Sequence, residues 1–275
     1  PPRATLPSIA IVKDNRFLAG QAAIVTGGAK GMGAAITRAL ARAGAEVFPC
    51  ARDIAALEPV AAEARQLGVR AKAIACDVTD AGQVAAMVDE VRLQTGGRID
   101  ILVNVAGIPG PIETPVWDVD PAGFDEVMRV NVAGTFLPVK YVAPTMVAQR
   151  SGRIIAIGSN SGTAGYIRRV GYCASKWALR GLIRTVALEM GPHGVTANCI
   201  NPGIVEGPRM ELLCRKKAAA QGVSIDDIRR QYTAAQAIPR VTTADDVANA
   251  VLFLAGDTGR NITGQDIDVD GGWNI

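Results

Sequence analysis

Ala22-Ala23-Ile24-Val25-Thr26-Gly27-Gly28-Ala29-Lys30-Gly31-Met32-Gly33 joins a short apolar run to a glycine-rich turn and then to a helical pattern. The run predicts a buried strand over Ala22 to Thr26, and the spacing of apolar residues beyond the turn predicts a helix over Met32 to Ala43. Glycines between a strand and a helix let the backbone turn sharply and bring amide groups, with the helix N-terminus, up to a pyrophosphate. The spacing is Gly-x-x-x-Gly-x-Gly, carried by Gly27, Gly31 and Gly33, with Lys30 and Met32 between them.

Outward from this unit, short apolar runs alternate with longer helical patterns, which predicts repeated βαβ units around a parallel sheet. Further strands are expected at Glu46 to Ala51, Ala71 to Ala75, Ile101 to Asn104, Arg153 to Ile157, Thr196 to Ile200 and Asp266 to Val269, seven in all. Helices are expected at Ile54 to Leu67, Gln83 to Thr95, Ala122 to Gln149, Tyr172 to Met190 and Ala244 to Leu254. The long fourth helix carries Gly134, Pro138 and Pro144, so a break is predicted there, just after Asn131. A length of 275 residues suits one α/β domain of the doubly wound Rossmann type over 21–275, preceded by a proline-containing arm over 1–20. Glu206 to Gln236 interrupts the alternation with a charged stretch and reads as a small helical lid over the carboxyl edge of the sheet.

Composition narrows the chemistry. A net charge of +3 is too slight for a nucleic-acid or membrane surface, and no apolar run reaches the length of a membrane span. Five scattered cysteines predict reduced thiols in a cytoplasm, without a disulfide framework. His193 is the only histidine, which excludes a histidine-rich metal site and leaves no metal expected. The informative pair is Tyr172 and Lys176 in Tyr172-Cys173-Ala174-Ser175-Lys176, with Ser159 thirteen residues upstream. Positions i and i+4 share a helix face, so the ammonium can favour the ionised phenol, and such a tyrosine can exchange a proton with a carbonyl oxygen.

The glycine spacing, followed by Asn104-Val105-Ala106-Gly107, Asn131, Ser159, Tyr172 with Lys176, and Asn201-Pro202-Gly203, resembles the short-chain dehydrogenase/reductase family in its single-domain, 3-oxoacyl-ACP-reductase-like branch. The resemblance runs from about Gln21 to the C-terminus and implies an oxidoreductase that interconverts a secondary alcohol and a ketone with a nicotinamide dinucleotide. It implies that Tyr172 is the acid/base, that Lys176 lowers its pKa and binds the nicotinamide ribose, and that Ser159 binds the substrate oxygen. Asn131 would hold a water linking Lys176 to solvent, or else satisfy a kinked helix. Ser161 and Ser175 lie at intervals that do not match the serine role. Asn104, Ala106 and Gly107 would flank the adenosine ribose, with Val105 replacing the family's second asparagine. Asp77 and Val78 would meet the adenine, although Asp77 also suits a helix cap. Pro202, Gly203 and Val205 would lie by the carboxamide, and Gly207 stands where the family often has threonine.

For the cofactor, the second strand ends in Ala51-Arg52-Asp53, and Arg52 and Lys30 favour the 2'-phosphate of NADP(H), while Asp53 keeps NAD(H) open. Tyr166, Arg168 and Arg169 lie between Ser159 and Tyr172, and Arg209 lies in the lid, so an anionic substrate is one reading and solvated arginines the other. A non-catalytic dinucleotide sensor would not need the full Ser159, Tyr172, Lys176 and Asn131 set. A sugar-nucleotide epimerase or dehydratase calls for a longer chain and a different glycine spacing. The resemblance further implies a homotetramer or homodimer through the Asn131 and Tyr172 helices, with Ala174, Ala178 and Gly181 permitting close packing. Trp273 is an interface anchor or a tail packing residue.

Overall fold

The apolar runs form strands that are all parallel and lie in one sheet. In the computed structural model, which describes residues 16–273, they are β1 (Ala22–Thr26), β2 (Glu46–Ala51), β3 (Ile74–Ala75), β4 (Ile101–Asn104), β5 (Gly152–Ile157), β6 (Val195–Pro202) and β7 (Asp266–Val269). Their spatial order is β3-β2-β1-β4-β5-β6-β7. Ile24 of β1 is in register with Phe48 on one side and Leu102 on the other. Every residue of β1 and β4 is buried, as continuous apolar strands covered on both faces must be.

Alternation along the strands feeds two cores. Ala23 and Val25 point to one face, where they pack with Ile36 and Leu40 of α1 (Gly31–Arg42), Leu57 of α2 (Ile54–Gln66) and Val251 of α9 (Ala244–Ala255). Ile24 points to the other face, with Met87 of α3 (Ala81–Gln94), Met146 of α5 (Gly134–Gln149) and Ile183 of α6 (Val170–Met190). Each fully buried Leu, Ile, Phe or Met side chain contributes about 1.5–3 kcal/mol. Two further helices, α7 (Pro208–Gln221) and α8 (Ile225–Ala234), occupy the stretch expected as a helical insertion. Ser224 and Asp227 cap α8 reciprocally, and Met210, Cys214, Ala218 and Ile228 form a small core of their own between the two helices.

Three expectations shift. The predicted third strand pairs at Ala71 as an isolated bridge to Val47 and again only at Ile74–Ala75, because this strand is at the sheet edge and has one partner. The predicted fourth helix is divided. α4 (Pro121–Met128) passes into a π-helical turn, Arg129–Ala133, before α5 begins, so the break centres on Asn131 rather than on the prolines. Pro138 and Pro144 remain inside α5, while the carbonyl of Asn131 accepts the Thr135 hydroxyl at 2.8 Å. The arm expected over 1–20 lies outside the described residues as far as residue 15, and residues 16–20 belong to the domain: Leu18 is fully buried and its N–H donates to Ala43. No helix among the described residues is long and apolar enough to cross a membrane.

β1 leads the chain to one side of the sheet and β4 begins the other, so the loops after these two strands diverge and leave a crevice at the carboxyl edge. The crevice depends on the close approach of α1 to the turn after β1. A Cβ on Gly33 would lie 2.1 Å from the carbonyl oxygen of Gly27. Gly33→Ala should therefore destabilise the fold by about 1–3 kcal/mol and abolish stabilisation by a dinucleotide, both read from thermal melting. A variant that melts like the parent with and without dinucleotide would contradict this.

Candidate active site

A cleft of about 670 Å³ follows the carboxyl edge from the glycine turn to the α7–α8 pair. At one end Gly27, Lys30, Gly31, Met32 and Gly33 line it. Lys30, at the N-cap of α1, makes no side-chain cap, so the first-turn amides of α1 remain open to an anionic group. Thr26, not singled out in the sequence, receives hydrogen bonds at its hydroxyl from the N–H groups of Val105 (3.1 Å) and Ala106 (3.2 Å). This bond ties the turn after β1 to the turn after β4 and relies on backbone, so Val105 serves without an amide side chain. The close approach at Gly33 and the open amides form a cradle that fits a dinucleotide pyrophosphate.

Arg52, Asp77 and Val78 line the next section, with Cys76 and Arg129. Asp80, not Asp77, caps α3. Asp77 instead accepts the Thr79 N–H (2.9 Å) and hydroxyl (2.8 Å), and these, with Arg52 and Arg129 nearby, hold its carboxyl below the usual value. Asp53 is used as the cap of α2, accepting from Ala55 and Ala56, and is not part of the cleft wall. Ala106 and Gly107 line the cleft, but Asn104 does not: it is 2% exposed, behind the wall. Its position as the last residue of β4, flanked by β1 and β5, buries the side chain.

Farther along, Tyr172 and Lys176 come from α6 and Ser159 from the end of β5. Lys176 is 5% exposed; its Nζ donates to the carbonyl of Ile157 at 2.8 Å and lies 5.7 Å from the Tyr172 ring. Burial alone would push the Tyr172 phenol up, yet it is held below its ordinary value by Lys176 first, then Arg209, the neighbouring Ser159 hydroxyl, and Arg169. Burial pulls the Lys176 ammonium down, and the neighbouring Tyr172 opposes this. Ser159 also accepts the Ser161 N–H at 3.1 Å. Ser175 is fully buried and donates to the Tyr172 carbonyl, whereas Ser161 reaches the cleft wall.

Asn131, 1% exposed, lies just behind this group. Its amide makes a two-way pair with the backbone of Ile108, Oδ1 accepting at 2.8 Å and Nδ2 donating at 3.1 Å, and Nδ2 also donates to Ser175. The π-helical turn supplies this orientation, and Asn131 thereby fixes the loop after Gly107. Pro202, Gly203 and Val205 line the wall opposite. Gly207 begins α7 with φ 124°.

At the far end the wall holds Tyr166, Arg169 and Arg209. Arg169 places its guanidinium 4.7 Å above the Tyr172 ring. Arg168 does not join them. It has a left-handed backbone (φ 60°) and faces the Glu113 carboxylate at 3.7 Å. Two aromatic residues that the sequence did not assign to the site complete this end. Trp273 stacks on Tyr166 with centroids 5.4 Å apart, and Tyr232 of α8 also lines the wall. The bridge between Trp273 and Gln236 brings the C-terminal segment back to the cleft, a long-range pairing with no local signal.

The family model described as enoyl-(acyl carrier protein) reductase matches residues 27–274. Momilactone A synthase of Oryza sativa subsp. japonica is 36% identical over 263 residues, covering 95% of this chain and 93% of that protein. A variant of actinorhodin polyketide ketoreductase, solved with NADPH, superposes with a TM-score of 0.86 at 32% identity, covering 91% of this chain and 96% of that one. An NAD+-bound xylitol dehydrogenase gives 0.87 at 30% identity, over 93% and 99%. Likeness of this extent, in sequence and in fold together, makes the chain a member of the short-chain dehydrogenase/reductase family, in its 3-oxoacyl-ACP-reductase-like branch.

Proposed function

We propose that this protein interconverts a secondary alcohol and a ketone, with Tyr172 as the acid/base, NADP(H) as the favoured cofactor and an acidic group on the substrate. The observation that carries the reading is a phenol placed between a buried ammonium and a serine, in one cleft with a cradle for a dinucleotide. Tyr172 gives a proton to the carbonyl oxygen on reduction and takes one from the alcohol on oxidation. Ser159 holds that oxygen at a fixed distance, and Lys176 stabilises the phenolate and offers its remaining donors to ribose hydroxyls. When bound, the nicotinamide supplies or accepts the hydride. Asn131, close to Lys176, would take part in the path by which the proton reaches solvent.

NADP(H) is preferred because Arg52 and Lys30 line the adenosine end while Asp53, the residue that would favour NAD(H), is spent on capping α2. An anionic substrate is supported by Arg169 and Arg209 on the wall beside Tyr172. Homotetramer or homodimer assembly through α6 is supported by its open outer face, where Gly181 has no atom within 4 Å of a Cβ position and Trp177 is half exposed. Five free thiols suit a cytoplasm.

Purified protein with both cofactors should turn over ketones or alcohols from a panel with and without an acidic group, followed by absorbance of the reduced nicotinamide. Tyr172→Phe should lower kcat by about 10²–10⁴-fold while leaving cofactor binding intact; equal turnover by the variant would reject the assignment. Arg52→Ala should raise KM for NADP(H) far more than for NAD(H). Arg169→Ala should raise KM for the acidic substrates alone, by about tenfold. The depressed phenol also sets the sign of the pH profile. Oxidation needs phenolate and should fade as pH falls through the Tyr172 pKa, reduction needs phenol and should fade as pH rises through it, and Lys176→Met should move both limbs to higher pH.

A further inference from the structure

Arg209 lies in the first turn of α7, and its Nη2 donates to the carbonyl oxygen of Gly107 at 2.6 Å. The bond crosses the cleft, from the α7–α8 pair to the loop after β4. Gly107 is packed against the catalytic group: a Cβ there would lie 3.0 Å from Asn131 Oδ1 and 4.0 Å from Lys176 Nζ. Arg209 is therefore held one residue away from the ammonium that serves Tyr172.

The element that carries it is separable from the rest. The α7–α8 pair has its own core, distinct from the two on the sheet. Its leading connection passes through Gly207, at φ 124° with no atom within 4 Å of a Cβ position, a backbone state that favours glycine and leaves room to pivot. Its trailing end is held by the C-terminal segment, with Ala237 and Ile238 donating to the carbonyls of Gly272 and Gly271. These are the features of a hinged cover.

Resting on the oxidoreductase reading above, we propose that Arg209 is a positioning residue acting through Tyr172: seating α7 and α8 against Gly107 delivers a third positive charge, beside those of Lys176 and Arg169, to the acid/base, and opening the cover withdraws it. Four groups face the phenol. Lys176 comes from α6, Arg169 from the N-cap of α6, Ser159 from the end of β5 and Arg209 from α7. Against the opposing effect of burial, Lys176 acts most strongly and Arg209 next, and Arg209 alone of the four rides on the cover. Lys176 in turn feels burial, Tyr172, Arg209 and Cys199; Arg209 depresses the ammonium, so it acts on the pair as well as on the phenol. An exposed guanidinium is screened by salt, which gives the effect an ionic-strength signature that a buried Lys176 lacks.

The test is an ultraviolet titration of phenolate, taken as the difference between a protein and its Tyr172→Phe counterpart, so that the other tyrosines cancel. It needs no substrate and reads Arg209 even if no turnover is found; absence of turnover with both cofactors would sink the oxidoreductase reading alone. Arg209→Met should titrate at higher pH than the parent and Arg209→Lys close to it. High potassium chloride should raise the parent midpoint and leave that of Arg209→Met in place. In turnover, Arg209→Met should lose about tenfold in kcat for oxidation near neutral pH, with the loss recovered at higher pH. Coincident titrations of the parent and Arg209→Met, with only KM altered, would overturn the proposal and leave Arg209 a simple substrate contact. If Arg209→Met fails to fold by circular dichroism, the salt response of the parent decides: a midpoint indifferent to chloride refutes the role.

Discussion

A charged ammonium placed almost entirely inside a protein costs several kcal/mol unless it is paired. Here Lys176 is satisfied by the Ile157 carbonyl at 2.8 Å and by the phenol one helical turn before it. The bond to Ile157 fixes α6 against the end of β5, and the same stretch of chain continues two residues later to Ser159. A single buried charge thus links a helix to a strand end and brings Ser159, Tyr172 and Lys176 to one wall of the cleft. The phenol and the ammonium each lessen the burden of burying the other, which is why the pair is both structural and chemical.

Around this group the fold separates rigidity from adjustment. The rigid part is the sheet, its two cores and the π-helical turn, where Asn131 holds the Ile108 backbone in both directions. Losing the regular ladder of one long helix at Arg129–Ala133 is compensated by those side-chain bonds and by the Thr135 hydroxyl. The adjustable part, on the reading proposed above, is the α7–α8 pair, joined through Gly207 and bridged to the loop after β4 by Arg209. The glycine turn and the Asn131 loop thus lie along the sheet edge, while Arg209 and Tyr232 reach the cleft from a helical pair with a core of its own.

Most of the architecture was legible because it rests on local periodicity. The runs at Ala22 to Thr26, Glu46 to Ala51, Ile101 to Asn104 and Asp266 to Val269 are strands with those bounds. The third strand was overextended because edge pairing is intermittent, and apolar residues alone do not say where a lone partner lets go. The arm was drawn too long: Leu18 is fully buried, but Phe17-Leu18-Ala19 is too short an apolar run to give a periodic sign that the domain reaches it. Within the site, Gly27, Gly31, Gly33, Ser159, Tyr172 and Lys176 all reach one cleft, while Asn104 and Arg168, adjacent in sequence to residues that line it, do not.

The chain's own order of residues determined the fold class and the seven strands, which follow from short apolar runs between 3.6-residue patterns, and the pairing of Tyr172 with Lys176, which follows from spacing along one helix. Only the tertiary structure decided which distant cation faces the phenol and what encloses the far end of the cleft. Arg209 meets Tyr172, and Trp273 meets Tyr166, across separations that no local pattern spans, because the packing of helices and the path of the returning C-terminal segment set them.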